Sequence, residues 1–173
     1  QADKLIVSRV LGLAAVSFYE VASRLTSFMR AVPLVMLSAL IPATSELGVR
    51  NDRERIRRTY LLVSKYVAMV TAAMVAFLVL DAGSITRLWL GSSFDQSALL
   101  IQILAIGYGV NVLGGAASQI GAGVGRPEFD MRSTILLSIV NPTLSLLLVR
   151  RFGAPGAAAG TTLALVIAAT YLL

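Results

Sequence analysis

The sequence predicts an all-α membrane protein: a six-helix transmembrane bundle whose first and last helices are truncated. Three features carry that expectation. Of the 173 residues, 57% are hydrophobic and 14% charged, and the mean hydropathy is +0.80. Soluble domains are about 45–50% apolar and about 25% charged, so the chain departs in both directions, and a soluble monomer of this size cannot hide so much apolar surface. The apolar residues fall in runs close to the about 20 that a bilayer-spanning helix needs. Those runs are rich in Ala, Leu and Gly and lack the alternation of a transmembrane barrel.

Residues 1–12 read as the end of a first span, closed by a break at Leu11-Gly12-Leu13. Residues 14–45 form a long second span, interrupted by Pro33 and Pro42. A charged linker over 46–58 follows. The stretch 46–60, ELGVRNDRERIRRTY, reads as a short interfacial helix, with Glu54 and Arg58 at i, i+4 and with Ile56 and Leu61 placed to face lipid. It serves either as a positive-inside anchor or as a lever or anionic-lipid contact. A third span covers 59–80 and ends at Asp81-Ala82-Gly83-Ser84, a turn signal. The outer segment 81–94 holds the only Trp, Trp89, most simply a belt residue at the membrane edge. A fourth span covers 95–122, a fifth 132–149 and a sixth 155–173. Short connections make sequential helices antiparallel neighbours. The chain begins at Gln1 and stops at Leu173 inside apolar runs, so it reads as a fragment of a longer protein, a single transmembrane lobe over 1–173.

Loop Lys and Arg set the orientation. One side carries Arg50, Arg53, Arg55, Arg57, Arg58, Arg126 and Arg132, with Lys65 close by; the other carries Arg87, Arg150 and Arg151. The first side is expected to be cytoplasmic.

The chain has neither Cys nor His. That excludes a disulfide scaffold, His- and Cys-based metal sites, a Ser-His-Asp triad and a thiol nucleophile. Lys4 and Ser8 stand at i, i+4, but nothing else builds an oxyanion hole, so an intramembrane hydrolase is disfavoured. No enzyme activity, cofactor, metal or nucleic-acid partner is expected.

Function is sought in the ionisable groups inside the bilayer, each costing several kcal/mol unless paired or wetted. They are Asp3, Lys4, Arg9, Glu20, Arg24 and Arg30. At a rise of about 1.5 Å per residue around a turn at Gly12 to Ala15, Asp3 matches Arg24 in depth and Arg9 matches Glu20. Glu20 and Arg24 also stand at i, i+4. The hairpin can therefore hold a charge ladder. Such pairs either fix helix packing by mutual neutralisation or line a hydrated cavity. In the second case Lys4 and Arg30, which lack obvious partners, can hold an anionic group, Arg being the better phosphate fork. Arg30 reads equally as a snorkelling residue.

Pro33, Pro42 and, after Asn141, Pro142 each remove a helical hydrogen bond and mark candidate hinges or static kinks. Gln102, Gly107, Gly109, Asn111, Gly114, Gly115, Ser118 and Gln119, with the spacings Gly121/Gly125 and Gly156/Gly160, point to close helix packing.

Several of these pieces occur together in order: Asp3, Leu11-Gly12 and Tyr19 within ADKLIVSRVLGLAAVSFYEVASRL; Ala39-Leu40-Ile41-Pro42 before the basic linker; Leu88-Trp89-Leu90-Gly91 with Phe94; Gly125-Arg126; Asn141; and Phe152-Gly153-Ala154-Pro155-Gly156-Ala157-Ala158. The chain thereby resembles the second half of the bacterial O-antigen and exopolysaccharide flippases, within the multidrug/oligosaccharidyl-lipid/polysaccharide exporter superfamily. The resemblance implies one lobe of a two-lobe, alternating-access transporter in the bacterial inner membrane. It implies translocation of an undecaprenyl-pyrophosphate-linked oligosaccharide in polysaccharide biosynthesis, with membrane lipid, a proton or sodium gradient in some members, and glycan polymerase and glycosyltransferase machinery as partners. Of the residues it carries over only Asp3 and the cationic cavity, now on Lys4, Arg24 and Arg30; Asp3, Arg9 and Glu20 remain the charge ladder and gating candidates read from depth. Two other functions stay open: a drug or small-solute antiporter of the same superfamily, and a non-transporting membrane scaffold subunit. Dye efflux would favour the first, and a stoichiometric partner without flux the second.

Overall fold

The computed structural model of the chain describes residues 2–49 and 52–172, with side chains described at 5–42, 44–45 and 52–172. The described residues form helices α1 (Ala2–Leu11), α2 (Leu13–Ser38), α3 (Leu40–Val49), α4 (Arg53–Leu90), α5 (Asp95–Gly123) and α6 (Glu128–Leu172), with a 3₁₀ turn at Ser92–Phe94 between α4 and α5. Helices α2, α4, α5 and α6 are long and apolar enough to cross a membrane. Six labels therefore do not correspond to the six expected spans. α1 has 10 residues and is about 15 Å long, short of a bilayer. The second span is broken into α2 and α3, and the fifth and sixth are the two limbs of α6, which part at Gly153.

The break after Ser38 has a covalent cause. Pro42 has no N–H to give to the Ser38 carbonyl four residues earlier, and the helix interrupts there. Pro33 is buried within unbroken α2, and Pro142 lies within the first limb of α6. In α6 the reversal comes at Gly153, whose φ of 65° suits glycine. From there the chain folds back along itself. A Cβ on Gly160 would lie 2.6 Å from the Ser145 nitrogen, and one on Gly156 would collide with the Leu148 carbonyl. Ser133 Oγ donates to the Ala168 carbonyl at 3.1 Å between the same two limbs. The Gly156/Gly160 spacing thus marks a close contact. Gly121 and Gly125 do something else: they end α5, with Arg126 N–H donating to the Gly121 carbonyl at 2.8 Å and Gly125 at a φ of 79°.

α4 departs from expectation at both ends. It starts at Arg53, inside the supposed linker and interfacial helix, after Asp52 caps it by accepting from the Arg55 N–H at 3.1 Å. It then runs through Asp81-Ala82-Gly83-Ser84 without turning. Ala82 and Thr86 are buried there, and Thr86 donates to the Ala82 carbonyl. That packing outweighs the cost of one helical glycine, about 1 kcal/mol.

α5 is the central post. It packs against α2, α3, α4 and α6, while α1 packs on α6 and α2. Its polar groups are turned to neighbouring backbones: Gln102 donates to the Val79 carbonyl at 2.8 Å and Ser97 to the Phe18 carbonyl at 3.2 Å. The main core joins Val7, Tyr19, Met29, Leu78, Leu100 and Leu104, and a second cluster joins Leu37, Leu40, Val67 and Val112. Two ends result. One gathers Leu11, Gln96 and Ala154 near the turns, and the other gathers Arg53, Arg57 and Arg126.

Candidate functional site: the charged flank of α2

Tyr19, Ala22, Thr26, Met29, Pro33 and Leu37 are the buried residues of α2, spaced by three or four as one helical face requires. Tyr19 and Thr161 share a buried hydroxyl hydrogen bond at 3.1 Å that ties this face to α6. On one flank, Leu25 and Met29 pack in one core with Met74 and Leu78 of α4, and Phe28 and Phe77 line an apolar cleft beside them. The opposite flank carries Glu20, Ser23, Arg24, Ser27 and Arg30, which include every charged residue of the helix. The sequence sorts polarity by flank: the apolar flank faces α4, and the charged flank meets α5 through Arg30.

Arg24 Nε donates to Glu20 Oε1 at 2.7 Å, one helical turn away. The Arg24 side chain is 80% exposed and that of Glu20 28%. Arg24 stands about 16 Å along α2, near the middle of a hydrocarbon layer of about 30 Å. A guanidinium so exposed would cost several kcal/mol against lipid tails. This flank therefore faces water or another part of a larger protein.

Six residues further, the Arg30 guanidinium lies over the Tyr108 ring of α5, 5.6 Å from its centroid. That distance is within cation–π range. Arg30 Nε is buried with no hydrogen-bond partner among the described residues. A snorkelling arginine extends its head to the interface; here the head is held against α5 instead. The result is a planar, oriented cation with donor capacity left over, matched to an oxyanion that approaches along the flank.

The other expected residues are distributed as follows. Asp3 and Lys4 lie in α1 with side chains outside the described residues, so the Asp3–Arg24 rung lies outside them too. Arg9 is exposed in the last turn of α1, where a cation suits the helix dipole, and makes no ion pair among the described residues. The Arg9–Glu20 rung is therefore not formed; Glu20 takes Arg24 of its own helix. Depth matching fixes height along a hairpin, but azimuth decides which charges meet. Tyr108 was not anticipated. Gly107-Tyr108-Gly109, an aromatic between glycines, is its local mark, and only the packing of α2 on α5 sets it beside Arg30. Among the described residues, no group of three His, Cys, Asp or Glu could hold a metal ion.

The profile of the polysaccharide biosynthesis protein family matches residues 1–99. Over 169 residues, 95% of the chain, the sequence is 25% identical to the probable low-salt glycan biosynthesis flippase Agl15 of Haloferax volcanii. The chain spans 35% of that relative's length. Among solved structures, the lipid II flippase MurJ in an inward closed conformation matches with a TM-score of 0.86 at 18% identity, over 99% of this chain and 38% of the flippase. An inward-facing multidrug resistance transporter of the MATE family, in the MOP superfamily, matches with a TM-score of 0.88 at 20% identity, over 98% of this chain and 40% of the transporter. These likenesses show the fold, that of one lobe of such transporters.

Proposed function

The chain belongs to the polysaccharide biosynthesis protein family, and from that premise we propose that it is one lobe of a flippase for a lipid-linked oligosaccharide, with Arg24 and Arg30 gripping the phosphate that joins lipid to glycan. One observation carries the reading: on one flank of α2, a helix long and apolar enough to cross a membrane, stand an 80% exposed arginine and a second arginine over the Tyr108 ring. A flippase must move a phosphate through hydrocarbon, and two arginines replace part of its water shell.

This arrangement of charge fits alternating access. The flank is one wall, and a second lobe presents the other. Bending at the Pro42-linked break between α2 and α3, with Pro33 and Pro142 as further hinge positions, supplies the movement. The glycan relative is a glycan biosynthesis flippase by name, which supports a glycan cargo. The undecaprenyl pyrophosphate carrier and the bacterial inner membrane belong to the proposal, beside a curated relative that is archaeal. Coupling to protons or sodium, and supply of cargo by glycosyltransferases and its use by a glycan polymerase, belong to it as well. A cation antiporter is disfavoured, because Glu20, the one carboxylate in α2, is already held by Arg24. Lys4 joins the cationic wall in this proposal, and Asp3, Arg9 and Glu20 set its balance of charge.

The test uses the full-length protein in cells that depend on it for surface glycan. Arg24→Gln and Arg30→Gln are expected to lower export about tenfold each, as hydrogen bonds to a charged group are worth about 1.5–3 kcal/mol, with membrane abundance unchanged. Normal export in both variants overturns the reading.

A further inference from the structure

We propose that the Arg-rich end of the lobe carries a separate binding site for an anionic phospholipid headgroup, in the cleft between the start of α4 and the turn from α5 to α6. The cleft has a volume of about 750 Å³ and is lined by Arg53, Arg57 and Arg126 together with Ile56, Tyr60 and Phe129. Among the described residues, none that line it is acidic. The cations sit over an apolar floor that includes Ile120 and Val124 of α5. A charged rim above an apolar floor fits an amphiphile, with phosphate at the arginines and acyl chain below.

One feature points to an anion and a second to lipid. Helix N-termini carry a partial positive charge and favour acidic side chains. α4 begins instead with Arg53, Arg55, Arg57 and Arg58 against Asp52 and Glu54. Asp52 is committed to Arg55, with an Nε–Oδ2 distance of 3.1 Å and its cap bond. Arg53 and Arg57 therefore add to the positive pole of the helix, an arrangement relieved by an external anion. The second feature is position. Gly115 of α5 faces Leu37 and Leu34 of α2. Ala117, Ile120 and Val124 lie about 140–200° around the helix from it. The cleft thus opens on the opposite side of α5 from the charged flank of α2. That separates it from the proposed cargo path and turns it toward lipid. By the distribution of loop Lys and Arg, that lipid is the cytoplasmic leaflet.

The proposal needs only that the chain crosses a membrane, so it stands or falls apart from the flippase reading. The full-length protein is purified in detergent and mixed with phosphatidylglycerol or phosphatidylcholine, and retained lipid is read by native mass spectrometry. The wild type is expected to retain phosphatidylglycerol preferentially. R53Q/R126Q lowers that retention at least about fivefold, given the contribution of each basic residue near an anionic surface. R58Q/K65Q removes the same charge from another face of α4 and lowers it less than about twofold. Arg126→Gln alone, in a turn outside the helices, gives a partial loss and guards against misfolding of the double variant. Equal losses in the two double variants, equal retention of the two lipids, or displacement by millimolar inorganic phosphate overturns the proposal.

Discussion

Helices α5 and α2 are both long, apolar and rich in polar interruptions, yet they use polarity in opposite ways. In α5 the polar and small residues are consumed by packing. Gln102 and Ser97 bond backbone carbonyls of α4 and α2, Gly107 lets Thr162 approach, and Gly115 admits Leu37. In α2 the hydroxyls of Tyr19 and Thr26 are internally bonded, but Glu20, Arg24 and Arg30 gather on one flank, with Arg30 set against the Tyr108 ring of α5. Polar groups in a membrane helix are thus structural where a partner lies within the lobe. They are available for work where it does not.

That contrast breaks most visibly at a packed glycine. Gly160→Ala places a Cβ 2.6–2.9 Å from the Ser145 and Leu144 backbones, which cannot rotate away as a side chain can. A loss of about 1–3 kcal/mol is expected. It reads as a lowered Tm of the purified full-length protein and reduced membrane abundance, with export falling in proportion to abundance. An unchanged Tm would mean that the two limbs of α6 are not pressed together.

The charged flank should respond in the reverse manner, in function without stability. Arg30→Lys keeps the charge but loses the planar fork. Export is expected to fall about threefold, less than the about tenfold of Arg30→Gln, with Tm unchanged. Tyr108→Leu removes the ring beneath the guanidinium and is expected to lower export about two- to fivefold, the worth of a partly exposed cation–π contact, while Tyr108→Phe keeps most of it. Equal export in the Leu and Phe variants would show that the ring does not orient Arg30.

The sequence made the helical character of the chain legible, and a helix over 95–122 coincides within a residue with α5 at Asp95–Gly123. Apolar runs and terminal glycines carry that information locally. The extent of α4 was not legible, because Asp81-Ala82-Gly83-Ser84 is a turn by local preference and a helix only through the burial of Ala82 and Thr86 against the rest of the lobe. The candidate site was half legible. Residue types and depths singled out Arg24 and Arg30. Pairing depended on azimuth, which gave Glu20 to Arg24 instead of Arg9, and on a neighbour 78 residues further along, Tyr108, which no local pattern places beside Arg30.

Two ion pairs give the finest version of the comparison. Arg87 Nε and Nη2 donate to the two oxygens of Asp95 at 2.9 and 3.1 Å, clasping the turn from α4 to α5. Arg24 and Glu20 meet at 2.7 Å. Both arginines are largely exposed, at 68% and 80%, and the Arg87 pair has the better bidentate geometry. On geometry alone Arg87–Asp95 should matter more. Surroundings reverse that order. Arg87 lies at a helix end beside Trp89, where water and headgroups replace a lost partner, and exposed pairs are worth little there. Arg24 lies at mid-depth on the flank proposed to grip the phosphate, so its loss is felt in export. Asp95→Asn is therefore expected to move Tm by no more than about 2 °C and to leave export unchanged. Arg24→Gln leaves Tm similar but lowers export. A larger loss of export from Asp95→Asn than from Arg24→Gln would show that depth in the membrane does not set the weight of these charges.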